Sequence, residues 1–272
     1  MIGFTEKLDN AAAKNRSWLC VGLDPVLDKL PEGIARTPSG VVDFCQEIIK
    51  ATSGVAAAYK PNIAFFEAFG ADGWNMLADS IAVVPDHIPV ILDAKRGDVG
   101  HTAKAYAEAY FGVLGVDAVT ANPYLGRDAV EPFATWPGKA AIMLCLTSNP
   151  SAVEIQGMDV AGEPLYLRVA RRIGEWDGTY GLVVGATKAE MIGDVRAVSP
   201  ETVFLIPGVG AQGGDLEKSV TLGARASGGG ALINASRAVI YASNGPDFAE
   251  TAGVAAESVR AQIEAVEQGL RT

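Results

Sequence analysis

The chain is short of several things at once: three cysteines, two histidines and 7% aromatic residues among 272 positions. Cys20, Cys45 and Cys145 are odd in number, lie far apart and each sits in an apolar run, so no CxxC metal or redox pair exists. The expectation is three buried, reduced thiols and a reducing compartment. Two histidines without HxxH or HExxH spacing leave little for a zinc site or a histidine-activated nucleophile, and no GxSxG occurs. No apolar run approaches the roughly 18 residues that span a bilayer. The first residues, MIGFTEKLDNAAAKNRS, lack a basic stretch followed by an apolar one, which makes a cytoplasmic location the expectation. Positive charge is also scarce, with 22 Lys and Arg against 32 Asp and Glu, a net −10. That balance disfavours nonspecific contact with nucleic acid or an anionic membrane, so an anionic substrate would need a local basic pocket.

What the chain does have is a repeat of short apolar runs: 18–23, 56–59, 89–92, 117–120, 140–146, 180–184, 202–206 and 231–233. Between them lie segments with helical spacing, such as Val41, Val42, Phe44, Cys45, Ile48 and Ile49, or Leu165, Leu167, Val169, Ala170 and Ile173. Near-continuous apolar strands alternating with helices imply a parallel sheet buried on both faces. Eight units averaging about 34 residues fit a (β/α)8 TIM barrel better than a doubly wound sheet. No linker divides the chain, so residues 1–272 read as one domain, with an extra N-terminal helix over 1–15 and a closing helix over 246–270. Gly228-Gly229-Gly230 reads as a tight turn into the eighth strand.

In such a barrel the catalytic face lies at the carboxyl ends of the strands, and there the chain becomes polar. The ends offer Asp24, then Lys60, then Asp93, Lys95 and Asp98, then Thr147-Ser148-Asn149, then Pro207 to Gly214, then Asn234-Ala235-Ser236-Arg237. The DxKxxD spacing at 93–98 is the most informative stretch. Alternation along a strand puts Asp93 and Lys95 on one face, where a lysine between carboxylates keeps its proton and can act as an ammonium acid. Gly208 to Gly213 satisfies GxGxxG, yet about 20 residues on stand Ile233 and Asn234 in place of a ribose-binding acid. A phosphate cradle after the seventh strand, closed by the Arg237 guanidinium, is the better reading, and it makes the substrate a phosphate ester. Asp24, Asp93 and Asp98 are hard oxygen ligands, but Lys60 and Lys95 on the same rim would repel a divalent cation, so no metal is expected.

The stretch Asp93-Ala94-Lys95-Arg96-Gly97-Asp98-Val99-Gly100-His101-Thr102 resembles the signature of the orotidine 5′-monophosphate decarboxylases. Val21 to Pro25, Tyr59 to Asn62, Thr147 to Pro150, Pro207 to Gln212 and Ala235 to Arg237 are similar to that family's other strand ends, in the same order, and Asn62 to Glu67 resembles its longer bacterial subfamily. The resemblance implies a lyase of de novo pyrimidine synthesis that forms UMP from a phosphorylated nucleoside, without cofactor or metal, in a homodimer with shared active sites. It makes Asp24 and Lys60 ribose contacts, Asp93 the acid facing the departing carboxylate, and Lys95 the proton donor to C6. Asp98 and Thr102 would reach the partner's site, sharing one helix face if the helix begins there. Ser148 would read the pyrimidine edge, and Pro207, Gly210, Gln212 and Arg237 the phosphate. Related sugar-phosphate enzymes that need magnesium carry an acid at the end of the second strand, where this chain has Lys60.

Overall fold

The computed structural model describes residues 2–209 and 213–270. Eight strands carry the frame: β1 (Leu19–Leu23), β2 (Ala58–Pro61), β3 (Ile91–Arg96), β4 (Ala118–Ala121), β5 (Ala140–Leu146), β6 (Tyr180–Val184), β7 (Val203–Pro207) and β8 (Ala231–Ala235). All neighbours pair in parallel, in the order β2-β1-β8-β7-β6-β5-β4-β3. The ring closes where Tyr59 bridges Val90 and Asn62 bridges Asp93, with the Tyr59 N–H donating to the Pro89 carbonyl at 3.0 Å. The (β/α)8 barrel anticipated from the spacing is therefore present as a single domain. A two-stranded hairpin, Asp159–Val160 with Glu163–Pro164, is added after β5.

Strand positions follow from burial on both faces. Every residue of β1, β2 and β4 is buried, as expected where side chains alternate between the barrel interior and the helical layer. Pro38–Thr52 follows its apolar spacing, burying Val41, Phe44, Cys45, Ile48 and Ile49, whereas Leu165–Gly174 buries Tyr166, Ala170 and Ile173 and leaves Leu165, Leu167 and Val169 only partly covered. The former starts with the Thr37 hydroxyl accepting from the Gly40 N–H and with proline in its first turn.

The N-terminal helix, Phe4–Asn15, buries Phe4, Leu8, Ala11 and Ala12 along one stripe. Two ion pairs hold it: Lys7 Nζ to Asp117 at 2.9 Å and Arg225 to Asp9 at 2.8 Å. Asp117 and Arg225 precede β4 and β8, so this helix crosses the floor of the barrel, opposite the catalytic rim. Gly228, Gly229 and Gly230 all have positive φ, and a Cβ on Gly229 would meet the Trp18 ring, which fits the predicted tight turn. The three cysteines are free and buried, and burial pushes each thiol up to about 12. Among the described residues no helix is long and apolar enough to cross a membrane.

Arg196 is a structural cation that makes no salt bridge among the described residues. From the helix Ala189–Val198 its guanidinium donates to the carbonyls of Gly223, Ser199, Pro200 and Thr202, and lies 3.6 Å over the Phe204 ring. Burial pulls its pKa down to about 10, so it stays charged at neutral pH while closing two helix ends. Arg196→Met strands those carbonyls, and urea unfolding should give a loss of about 3 kcal/mol from several hydrogen bonds at about 1 kcal/mol each.

Candidate active site

The strand ends gather charge at one rim. Lys60, from β2, is almost wholly buried, its side chain 5% exposed, with Nζ 3.1 Å from Asp93 Oδ2 and 3.9 Å from Asp24 Oδ1. Asp93, from β3, takes Lys95 Nζ on its other oxygen at 2.6 Å, and the Thr120 hydroxyl of β4 donates to that same oxygen at 2.8 Å. Burial pushes the Asp93 carboxyl upward, but Lys60, then Lys95 and the hydrogen bonds from Lys95 and Thr120, outweigh it and hold it at about 2. For Lys60 burial works against the proton, and Asp93 with Asp24 overcomes it, so its pKa is raised. The result is a lysine–aspartate–lysine array in which Asp93 and Lys60 are both held ionised at neutral pH.

The path of the chain to this array differs from simple alternation. Asp93 and Lys95 lie within β3, not after it, and the pairing with β4 shifts register between Leu92 and Arg96. Lys95 takes a left-handed φ of 50°, uncommon for a residue with a Cβ. Thr120 accepts from the N–H groups of both Ala94 and Lys95 at 3.0 Å, which holds that bend. Beyond it, Arg96 turns away from the rim and donates to Tyr110 at 2.8 Å and Glu67 at 2.6 Å. Lys95 is also less enclosed than the pattern suggested. Its side chain is 51% exposed, because the bend lifts it to the mouth of the barrel; the buried cation of the array is Lys60.

The other predicted residues are placed as follows. Asp98 is half-buried, its N–H donating to the Ala129 carbonyl, and it makes no ion pair among the described residues. The next helix is Gly100–Ala107, so Asp98 precedes it and the shared helical face proposed for Asp98 and Thr102 does not form. Ser148 follows β5 in a loop tied by the Gln156 side chain, which accepts from the Thr147 N–H and donates to its hydroxyl. A Cβ on Gly185 would fall 2.8 Å from the Ser148 nitrogen, so a glycine there lets the β5 and β6 loops touch. Pro207 ends β7, and Gly208 and Gly213 both have positive φ, with the Gly214 N–H closing onto the Gly208 carbonyl at 3.1 Å. Gly210 and Gln212 lie outside the described residues. Arg237 opens the short helix Arg237–Ile240, is exposed, and lines a 640 Å³ cavity with Lys29, Arg36, Tyr241 and Asn244. Among the described residues no three His, Cys, Asp or Glu side chains are arranged to hold a metal ion; Asp24 and Asp93 both face Lys60.

Sequence reasoning passed over Thr120, which ends an apolar run and looked like strand interior. A hydroxyl one strand away from the DxK motif was the available signal.

Residues 17–252 match the family model described as "Orotidine 5'-phosphate decarboxylase / HUMPS family". The orotidine 5'-phosphate decarboxylase of Herpetosiphon aurantiacus is 49% identical over 259 residues, 94% of this chain and 96% of that protein. That of Thermomicrobium roseum is 47% identical over 270 residues, 97% and 96%. Among solved structures, Leishmania donovani OMP decarboxylase superposes with a TM-score of 0.87 at 41% identity, covering 98% of this chain and 100% of that one. A Toxoplasma gondii structure described as a putative orotidine-monophosphate-decarboxylase gives 0.89 at 40%, with 98% of each chain covered. Barrel, rim and likeness agree along nearly the whole length, and the chain belongs to the orotidine 5'-phosphate decarboxylase family.

Proposed function

We propose that the protein is a carboxy-lyase that converts orotidine 5′-monophosphate to UMP in pyrimidine biosynthesis, using its own side chains alone. The observation that carries this reading is the Lys60–Asp93–Lys95 array, with contacts of 3.1 and 2.6 Å. When the C6–carboxylate bond breaks, carbon dioxide leaves and the electron pair stays on C6, where no neighbouring group absorbs it. Preorganised charge must then stabilise it. The Lys95 ammonium faces the carbanion and transfers its proton to C6, and the neutral amine is recharged from solvent. Asp93, held ionised, crowds the departing carboxylate. Asp24 and Lys60 hold the ribose, Ser148 reads the base, and Pro207, Gly210, Gln212 and Arg237 hold the phosphate, whose binding supplies energy for positioning the distant C6. Lys60 stands where magnesium-dependent relatives carry an acid, and an ammonium between Asp24 and Asp93 competes with a cation for both. Loss of orotidine 5′-monophosphate absorbance in the presence of a chelator tests substrate, reaction and metal together. Undiminished turnover is expected; abolition by chelator would favour the magnesium-dependent sugar-phosphate reading.

The same reading makes the enzyme a homodimer in which Asp98 and Thr102 complete the partner's site. Two observations support it. Asp98 has no cation partner among the described residues, and Val99 beside it, with Tyr124 and Leu125 after β4, is exposed, apolar surface of the kind that subunits cover. Mixing inactive Asp98→Ala and Lys95→Ala proteins should restore part of the activity, since a hybrid dimer holds one intact site. No recovery after demonstrated subunit exchange would rule out the composite pocket.

A further inference from the structure

Five buried side-chain atoms among the described residues lack a hydrogen-bond partner, and three of them, Asp24 Oδ1, Asn234 Oδ1 and Ser236 Oγ, sit together at the carboxyl ends of β1 and β8. The other two belong to Tyr180 and Arg225, which lie at the opposite, amino-terminal side of the barrel. Asp24 Oδ1 has only Lys60 Nζ, at 3.9 Å. An unmet polar atom costs about as much as a lost hydrogen bond, and native proteins keep few, so three at one mouth need a reason. Gly22 shows where they project. A Cβ there would fall 2.7 Å from Ser236 Cβ, 3.2 Å from Ser236 Oγ and 3.3 Å from Asn234 Oδ1, so both side chains lean over bare backbone. Gly22 lies level with Lys60 in the β1–β2 register.

We infer that Asn234 and Ser236 are substrate-binding residues that hold the sugar–phosphate half of the nucleotide. This rests on the decarboxylase reading and extends it to two residues of the eighth strand end to which that reading gave no role. The sheet order fixes the half: β8, β1 and β2 are contiguous, whereas Ser148, the base contact, follows β5, three strands from β8. Ser236 adjoins Arg237 in the chain, and its hydroxyl can donate to a phosphate oxygen. Asn234 Oδ1 and Asp24 Oδ1 can accept from sugar hydroxyls.

Asn234→Ala and Ser236→Ala test this, with UMP and ribose 5-phosphate as probes. Each variant should weaken both probes about tenfold, the effect of one hydrogen bond to a nucleotide, and raise KM alike. Any fall in kcat at saturation should be smaller than the rise in KM, since Arg237 and the other phosphate contacts still position C6. The thermal midpoint should hold or rise, because each change deletes a buried atom that had no partner. Undiminished ribose 5-phosphate binding, or a falling midpoint with kcat and KM impaired together, overturns the inference. Failure of the unaltered protein to consume orotidine 5′-monophosphate would instead overturn the decarboxylase reading, and the ribose 5-phosphate titration would still decide for or against these two residues.

Discussion

Lys95→Ala is expected to lower kcat/KM for orotidine 5′-monophosphate at least about a thousandfold while UMP binding remains measurable. Two unit charges about 4 Å apart interact by about 4 kcal/mol at an effective dielectric near 20, and each 1.36 kcal/mol is tenfold in rate, so the lost charge alone accounts for roughly three orders of magnitude. Loss of a positioned proton donor adds about 10²–10⁴-fold. The Lys95 side chain is half exposed and Asp93 keeps Lys60, so the fold should barely register the change. A thermal midpoint near that of the parent, with turnover nearly abolished, would separate lost chemistry from lost structure. Near-normal turnover would remove Lys95 from the mechanism.

Lys60→Met should do damage of a different kind. The buried ammonium is the strongest influence lowering the Asp93 pKa, and without it burial acts against a carboxylate left with Lys95 and Thr120. Asp93 then titrates at least about one unit higher, and the acid limb of the kcat/KM profile moves up with it. The sign for stability is fixed by the same shift. A depressed carboxyl stabilises the fold fully above its ordinary value of 3.8, and that contribution is lost as pH falls toward about 2. Lys60, raised above 10.5, contributes below that value and loses its contribution only in stronger base. The Lys60–Asp93 pair is thus intact across neutral pH in the parent, and removing one buried partner should cost on the order of 3 kcal/mol in urea unfolding. An unmoved acid limb would show that Lys60 does not govern Asp93.

How far the sequence reaches is clearest at the strands. The runs 140–146 and 180–184 coincide with β5 and β6, which are apolar to the end or nearly so. Others run one to four residues further than their apolar stretch: β2 through Lys60 to Pro61, β3 through Asp93 and Lys95 to Arg96, β8 through Asn234 to Ala235. Hydrophobicity reports burial, whereas strand pairing continues into the polar residues that the barrel presents at its mouth. The DxK spacing led to a correct ion pair by an incomplete route, since alternation presumes regular backbone and gives no hint of a left-handed Lys95. Asp98 and Thr102 fared worse, because Gly100, not Asp98, begins the helix. Asn234 and Ser236 stood in the eighth strand end that the sequence offered, but only Arg237 was given a role there; the count of unmet polar atoms singles the other two out.

Thr120 ties these parts together: one hydroxyl serves two backbone amides and a carboxylate across the β3–β4 seam. Any slippage of that seam dismantles the charge array at the same moment as it opens the cylinder. Turnover should therefore vanish in step with closure of the ring during denaturation, and enzymatic rate becomes a sensitive gauge of whether the two neighbouring strands are still in register.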